Sequence, residues 1–279
     1  MTTPPGPDDA AAIIAAAAAR GQEALDEHES KQVLASYGIP VTRETLAAGP
    51  GAAARAARDL GFPVVLKACG PRLLHKTEVA GVALDLRSAA EVQEAGRRLL
   101  RIQGAQGLLV QEMVPGDREL ACGITRKPAF GPCVMLGAGG IFAEAASDAA
   151  FRLAPISPEE GQAMAGEIRS AALLGPLRGR AAADTAALGR ILAALGEIAQ
   201  RHPAVAQVDV NPLKVQPDGS LVAVDALVVL GAEAPEASVR EPVKDLTAFF
   251  EPASAVVVGA SGTAGKPGHE VVRNILANG

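Results

Sequence analysis

The chain reads GFPVVLKACGPRLLHKTEVAGV over residues 61–82. The apolar run 63–66 predicts a buried strand, and this strand presents a single lysine, Lys67, at its end. A Gly-Pro turn follows, and His75 then stands in a polar loop before a second apolar strand begins near Gly81. A lysine ammonium binds phosphate well, and a histidine can act as a nucleophile toward a phosphoryl group. Taken alone, the stretch is equally compatible with an ordinary polar surface loop.

Composition limits the class of protein. The 279 residues are 49% hydrophobic and 20% charged, which is typical of a globular chain. The formal net charge of -5 argues against a nucleic-acid-binding protein, which needs clustered basic surface. The three cysteines are too widely spaced for a zinc motif or a disulfide framework, so a reducing, cytoplasmic location is expected. The alanine-rich run 10–19 is about half the length of a membrane span, so no membrane segment is expected.

The first half of the chain alternates predicted helices and strands. Asp8 or Asp9 is expected to cap a first helix that ends near Arg20. Further predicted helices cover 22–37, 52–60, 91–102, 158–174 and 184–199. Strands are predicted over 82–86, 107–114, 120–125, 133–136, 205–210 and 221–229. Because these elements do not follow a strict βαβ order, they favour an α+β fold over a doubly wound sheet.

The amino-acid composition changes after residue 230. Residues 231–247 are rich in Ala, Glu and Pro and are predicted to form a linker. A short strand over 254–258, a glycine-rich turn and a helix from His269 follow. One strand and one helix cannot bury their own apolar faces, so we expect this sequence to be part of a longer protein.

A second group of polar residues points to metal chemistry. Asp209 and Asn211 end an apolar strand, and Asp225 follows 14 positions after Asn211, across a turn at 217–219. This spacing predicts a neutral and an anionic oxygen on adjacent strands, which suits Mg²⁺ bound together with nucleotide phosphates. Taken alone, Asn211 is better explained as a turn cap and Asp225 as a surface carboxylate. Together with Lys67 and the glycine loops at 137–140 and 259–268, they favour the metal site.

These motifs resemble, in order, those of the ATP-grasp portion of the NDP-forming acyl-CoA synthetases, relatives of succinyl-CoA synthetase. The matching stretches are Glu29-Ser-Lys31, 37–41, 61–67, 74–76, 110–114, 130–132, 137–141, Asp148, Phe151-Arg152, Pro155, 209–213 and 224–226. The resemblance implies an N-terminal extension at 1–21 and an ATP-grasp domain at 22–230. Its subdomains are expected at about 22–115 and 116–230. After the linker, residues 248–279 resemble the first strand, turn and helix of a Rossmann-like CoA-binding domain.

The resemblance also implies an activity, the reaction acid + CoA + ATP ⇌ acyl-CoA + ADP + phosphate through an acyl phosphate and a phosphohistidine. It implies that ATP or ADP, Mg²⁺ and coenzyme A are the cofactors. The expected partners are a small carboxylic acid, the remaining CoA-binding and phosphohistidine domains, and further subunits in a dimer or heterotetramer. Two alternatives stay open: an ATP-grasp ligase that joins a carboxylate to an amine, and a nucleotide-binding module of a regulatory or acyltransferase protein.

Site residues follow from the same resemblance. The residues expected to bind nucleotide are Lys67, Glu112, Met113, Val114, Gly139, Gly140 and Arg152. Asn211 and Asp225 are expected to hold Mg²⁺, and Asp209 to steady the phosphohistidine loop. His75 matches a histidine of the phosphoryl relay, with hydrogen bonding within its loop as the alternative. Arg152 is equally explained as a salt-bridge partner at the edge of the core.

Overall fold

The computed structural model describes residues 6–70, 81–127, 130–139, 148–177, 179–231, 247–251, 253–254 and 256–278. The chain divides into two compact units, Met1–Ala237 and Ser238–Gly279. The predicted loop around His75 lies outside the described residues, as do Gly140 and most of the predicted linker.

The first unit contains a four-stranded sheet near its N-terminus. Its strands are β1 (Glu44–Ala47), β2 (Val64–Cys69), β3 (Val82–Leu86) and β4 (Gly107–Glu112). They pair antiparallel in the order β1-β4-β2-β3. Helices α3 (Pro50–Leu60) and α4 (Ala89–Leu99) cover one face, where alanines of α3 and the apolar residues Val92 and Leu99 of α4 are buried. Every residue of β2, Lys67 included, is buried.

A six-stranded sheet forms the rest of the first unit. Its strands are β5 (Arg118–Lys127), β6 (Gly131–Ala138), β7 (Ala149–Leu153), β8 (Val205–Val215), β9 (Leu221–Ala223) and β10 (Ala226–Leu230). The order is β10-β8-β5-β6-β7, and β9 pairs with the end of β8. This two-sheet arrangement of mixed helices and antiparallel strands confirms the predicted α+β class.

One face of the larger sheet packs on helices, and none of the described elements covers the other, which is called the open face below. Cys122, Val134 and Val210 point to helices α5 (Pro158–Met164) and α6 (Thr185–Arg201) and are buried in one apolar core. Because side chains alternate along a strand, the neighbours of these residues face the opposite side. Gly123 pairs with Asp209 and with Met135, and Met135 pairs with Phe151, so these four residues form one row across that opposite face.

The two N-terminal helices differ from their predicted limits. Helix α1 (Pro7–Ala19) is preceded by Gly6 as its N-cap, so the predicted cap at Asp8 or Asp9 is wrong; the Asp9 carboxylate instead accepts the Gly6 N–H at 2.8 Å. Helix α2 (Glu27–Ser36) begins five residues later than predicted. Residues 23–25 are extended because they hydrogen-bond to β10, with the Leu25 N–H 2.9 Å from the Val228 oxygen.

The helix predicted over 158–174 is in fact two elements. Helix α5 ends at Met164, and a 3₁₀ helix covers Arg169–Leu174. The Asp148 carboxylate accepts the N–H groups of Arg169 at 2.5 Å and Ser170 at 2.7 Å. This tertiary cap starts a separate helical turn, which sequence periodicity does not reveal.

The second unit contains helices α7 (Thr247–Phe250) and α8 (Pro267–Asn278). The strand predicted over 254–258 is wrong for its described residues, 254 and 256–258, which pair with no described strand. The glycine turn before α8 is confirmed. Gly259 and Gly265 have φ of 83° and 84°, and a Cβ on Gly268 would lie 2.0 Å from the Gly259 oxygen. Within the described ranges, no helix has the length and apolar character needed to cross a membrane.

The contact between α5 and α6 gives a test of the fold. A Cβ added at Gly189 would lie 2.2 Å from the Pro158 carbonyl oxygen, which is backbone and cannot rotate away. Gly189→Ala gains about 1 kcal/mol in helix propensity, but overpacking of this kind costs about 1–3 kcal/mol. We therefore expect urea unfolding to show a net loss of stability. Gly166→Ala is the control, since its Cβ would lie 3.6 Å from the Ala163 oxygen. Equal stability of the two variants would contradict the close helix contact.

Candidate active site

Lys67 lies on the smaller sheet and contacts the segment that connects two strands of the larger sheet. Its side chain is buried within β2, which continues to Cys69, and the residue is 4% exposed. The Lys67 ammonium donates to Glu27 Oε1 at 2.5 Å and to the Val224 carbonyl oxygen at 3.1 Å, and it lies 3.7 Å from Asp225 Oδ2. Residues 224–225 connect β9 to β10, so the predicted cation and one predicted metal ligand lie side by side.

The acidic side of the site is built on β8 and β10. Ala226 pairs with Val210 and Leu227 with Asp209, so residue 225 enters β10 next to Asn211. Strand alternation places Asp209 and Asn211 on the same face of β8, away from the buried Val208 and Val210. Burial raises the pKa of Asp209 above its ordinary value, and the negative charge of Asp225 raises it further. Asp209 and Asp225 therefore act on each other electrostatically across the strand pair.

The donor set of this site suits a magnesium–nucleotide complex. Asp225 is 39% exposed at its side chain, and its carboxylate and the Asn211 amide supply hard oxygen ligands. Mg²⁺ is usually held by one or two protein oxygens together with substrate phosphates and water. In the described part of the chain, no group of three or more His, Cys, Asp or Glu side chains is arranged to hold a metal ion alone. The residues present therefore fit Mg²⁺ that arrives with phosphates.

A pocket of about 300 Å³ lies on the open face of the larger sheet. It is lined by Ala121, Gly123, Ile124, Thr125, Met135, Gly137, Ala138, Asp148, Ala149, Phe151, Gln207, Val208 and Asp209. Only glycine fits at position 123 of this lining, because a Cβ there would lie 2.1 Å from the Val208 backbone oxygen of the paired strand. The lining is mostly apolar, with the polar side chains of Thr125, Asp148, Gln207 and Asp209, which is typical of small-molecule sites.

The predicted adenine segment connects the two sheets. β4 ends at Glu112, whose carboxylate accepts the backbone N–H of Arg43 at 2.8 Å and its Nε at 2.7 Å. Met113 is 40% exposed and Val114 is 8% exposed. The Glu112 side chain is thus held by Arg43, and contact of this segment with adenine stays a prediction.

Two further predicted nucleotide ligands have structural roles here. Arg152 lies on β7 opposite Val134, which is buried in the core. It therefore lies on the helix-covered face and forms an ion pair with Glu167, so the structure does not bring it to Asp209. Gly139 donates its N–H to Glu119 at 2.9 Å, and a Cβ there would lie 2.6 Å from the Leu120 backbone. Close packing of two backbones explains this glycine.

The sequence did not identify Glu27 as part of the site, and it did not reveal that Lys31 is buried there. These residues are four apart on α2, a spacing that suits an exposed helix-stabilising pair. Both are buried, with Glu27 2% and Lys31 1% exposed. The Lys31 ammonium lies 2.8 Å from Glu27 and 2.8 Å from Glu44, and it donates to Thr42 and Gln111. One signal was present: Glu27, Lys31 and the buried Leu34 share the same face of the helix.

The comparison with known families agrees with this geometry. The family model described as an ATP-grasp domain matches residues 16–230. The chain therefore belongs to the ATP-grasp family, and the resemblance found in its motifs is confirmed.

Individual proteins and a solved structure are also similar to this chain. The chain is 36% identical over 255 residues to the acetate–CoA ligase [ADP-forming] II of Archaeoglobus fulgidus, covering 91% of this chain and 37% of that protein. It is 36% identical to the acetate–CoA ligase [ADP-forming] I subunit beta of Pyrococcus furiosus, covering 74% of this chain and 91% of that subunit. A solved dinucleotide-forming acetyl-coenzyme A synthetase 1 of Ca. Korarchaeum cryptofilum, in complex with coenzyme A and Ca-AMPCP, has a TM-score of 0.75 and 38% identity over 79% of this chain and 99% of that one. The chain thus spans little more than a third of the Archaeoglobus protein.

His28 provides a pH test of the α2 region. The hydrogen bond that His28 Nδ1 donates to the Glu44 carboxylate, 2.9 Å away, raises the pKa of His28 above its ordinary value of 6.5. A raised folded-state pKa gives stability that is full below pH 6.5 and is lost as the pH rises through the folded-state pKa. We expect urea unfolding to show that His28→Gln loses most stability relative to the parent at low pH, and that the difference shrinks at high pH.

His202 is the matched control for this test. Burial lowers the pKa of His202, so its contribution has the opposite sign and is lost as the pH falls. His202→Gln should therefore differ most from the parent at high pH. A pH-independent effect of His28→Gln would contradict the His28–Glu44 pairing.

Proposed function

We propose that this chain is the nucleotide-binding part of an ADP-forming acyl-CoA synthetase. The overall reaction is acid + CoA + ATP ⇌ acyl-CoA + ADP + phosphate, by way of an acyl phosphate and a phosphohistidine. The observation that carries the proposal is the meeting of Lys67 with Asp225 across the two sheets, 3.7 Å apart and next to Asn211 and Asp209. The names of the similar proteins support acetate or another small carboxylic acid as the class of substrate.

The proposed roles follow from charge and position. Lys67 binds the phosphates, because a compact ammonium held in a fixed position is a strong phosphate ligand. Asn211 and Asp225 hold Mg²⁺, which neutralises phosphate charge when bound. Asp209 lies beside the pocket, where it steadies the phosphohistidine segment. The pocket on the open sheet face takes the adenosine part of the nucleotide, with residues 112–114 reading the adenine edge.

We propose that the chain works together with a CoA-binding domain and a phosphohistidine domain. Its residues 248–279 resemble only the start of such a CoA-binding domain. The glycine turn before α8 fits the nucleotide part of CoA, because backbone amides at a helix N-terminus bind phosphate. The Pyrococcus relative is named as a beta subunit. A dimer or heterotetramer that supplies the remaining CoA-binding and phosphohistidine domains is accordingly the proposed assembly.

Nucleotide binding tests the metal assignment directly. We expect Asn211→Ala combined with Asp225→Asn to abolish the Mg²⁺ dependence of ADP binding in calorimetry, because both protein oxygens are lost. Asp59→Asn is the control, since Asp59 is an exposed carboxylate at the end of α3. The metal assignment is wrong if the double variant binds Mg·ADP as tightly as the parent does.

His75 is proposed to carry the phosphoryl group at one stage of the relay. Neutral imidazole nitrogen is the nucleophile in such a step, and charge on the phosphate must be neutralised nearby. His75→Asn keeps a hydrogen-bonding side chain but cannot be phosphorylated. In acyl-CoA synthesis by the assembled enzyme we expect its rate to fall by several orders of magnitude while ADP binding persists. Retention of most activity would mean that His75 only orders its loop.

A further inference from the structure

Glu27 is a buried carboxylate shared by two lysines. Its Oε1 atom lies 2.8 Å from the Lys31 ammonium and 2.5 Å from the Lys67 ammonium, and its side chain is fully buried. Lys31 has a second carboxylate, Glu44, together with the oxygens of Thr42 and Gln111. Lys67 has a second carboxylate as well, Asp225, at the longer distance of 3.7 Å. The position of the Lys67 ammonium is therefore set by a competition between Glu27 and Asp225.

The structure favours Glu27 in this competition for two reasons. The Glu27–Lys67 pair is 1.2 Å shorter (3.7 − 2.5) and hydrogen-bonded. Glu27 is also enclosed by protein, whereas the Asp225 side chain is 39% exposed and its charge is screened by water. A charge pair is stronger at short distance and low effective dielectric.

We propose that Glu27 is a positioning residue that holds the Lys67 ammonium off Asp225, so that Asp225 binds the divalent cation of the nucleotide complex. This inference rests on the proposed function. With Glu27 neutral, Asp225 becomes the remaining carboxylate partner of Lys67, and the ammonium then competes with the cation for the same oxygen. Lys31 keeps its bonds to Glu44, Thr42 and Gln111, so the rest of the cluster stays paired.

Metal affinity tests the proposal without any catalytic readout. Mn²⁺ serves as the probe, and its free concentration is followed by electron paramagnetic resonance at saturating ADP. We expect Glu27→Gln to weaken Mn²⁺ binding by about tenfold, a typical size for coupling between neighbouring sites. Glu167→Gln is the control: it removes a carboxylate that pairs with Arg152 on the helix-covered face, outside the cluster, and should leave the Mn²⁺ affinity as it is.

A double variant separates positioning from a general structural effect. With Lys67→Met no ammonium competes for Asp225, so adding Glu27→Gln to that variant should not change Mn²⁺ affinity. An equal loss with and without Lys67 would overturn the proposal. If Glu27→Gln lowers the melting temperature too far for binding studies, Glu27→Asp replaces it. That variant keeps the charge but draws the carboxylate back from the Lys67 ammonium, so we expect a partial loss of Mn²⁺ affinity that disappears when Lys67→Met is added; a loss that persists in the double variant would overturn the proposal.

The two proposals fail in different ways. If the parent binds Mn²⁺ with ADP independently of Asn211 and Asp225, the proposed function fails and the role of Glu27 fails with it. If the parent shows that dependence and Glu27→Gln binds Mn²⁺ as tightly as the parent does, only the positioning role is wrong.

Discussion

A buried cluster of charges on α2 is the interaction on which the rest of the site depends. Lys31 reaches Glu44 on β1 and Gln111 on β4, while Glu27 holds Lys67 on β2. The same helix is joined to the larger sheet, because the Ser30 hydroxyl accepts the Val228 N–H at 3.1 Å. Buried charges are destabilising unless their pairing is complete, so the cluster is stable only when both sheets are in place. Assembly of the fold and assembly of the site are thereby one event.

Strand alternation then decides which side chains lie on the open face of the sheet, where they can contact a ligand. On the larger sheet, Val208 and Val210 are committed to the core, which leaves Asp209 and Asn211 for the open face. The same rule commits Arg152 to the helix-covered face next to Glu167. A single residue of register shift would exchange these two sets. Packing of the core on the helix-covered face therefore determines which polar side chains lie on the open face.

Local patterns explain how much of this could be predicted from the sequence. Lys67, Asn211 and Asp225 stand at strand ends or beside a turn, and such signals are contained in a few neighbouring residues. Glu27 was missed because its burial comes from strands of both sheets, and no local pattern of charge records that contact. The separate 3₁₀ helix at 169–174 was missed for the same reason, since its cap is Asp148, 21 residues away. His75 lies outside the described residues, so its role stays a prediction from the sequence.

Charge balance explains why a site of this kind would take a metal–nucleotide complex and not its separate parts. In the proposed complex Asp209 and Asp225 would lie near the phosphates, and the nearby cation Lys67 is paired with Glu27. Nucleotide phosphates alone would meet two carboxylates with little compensating charge, which is unfavourable where water is partly excluded. A divalent cation that binds Asp225 and the phosphates together removes that repulsion. With the proposed roles, Lys67 and the divalent cation together balance the phosphates against the two carboxylates, which is why the complex suits this site better than free nucleotide does.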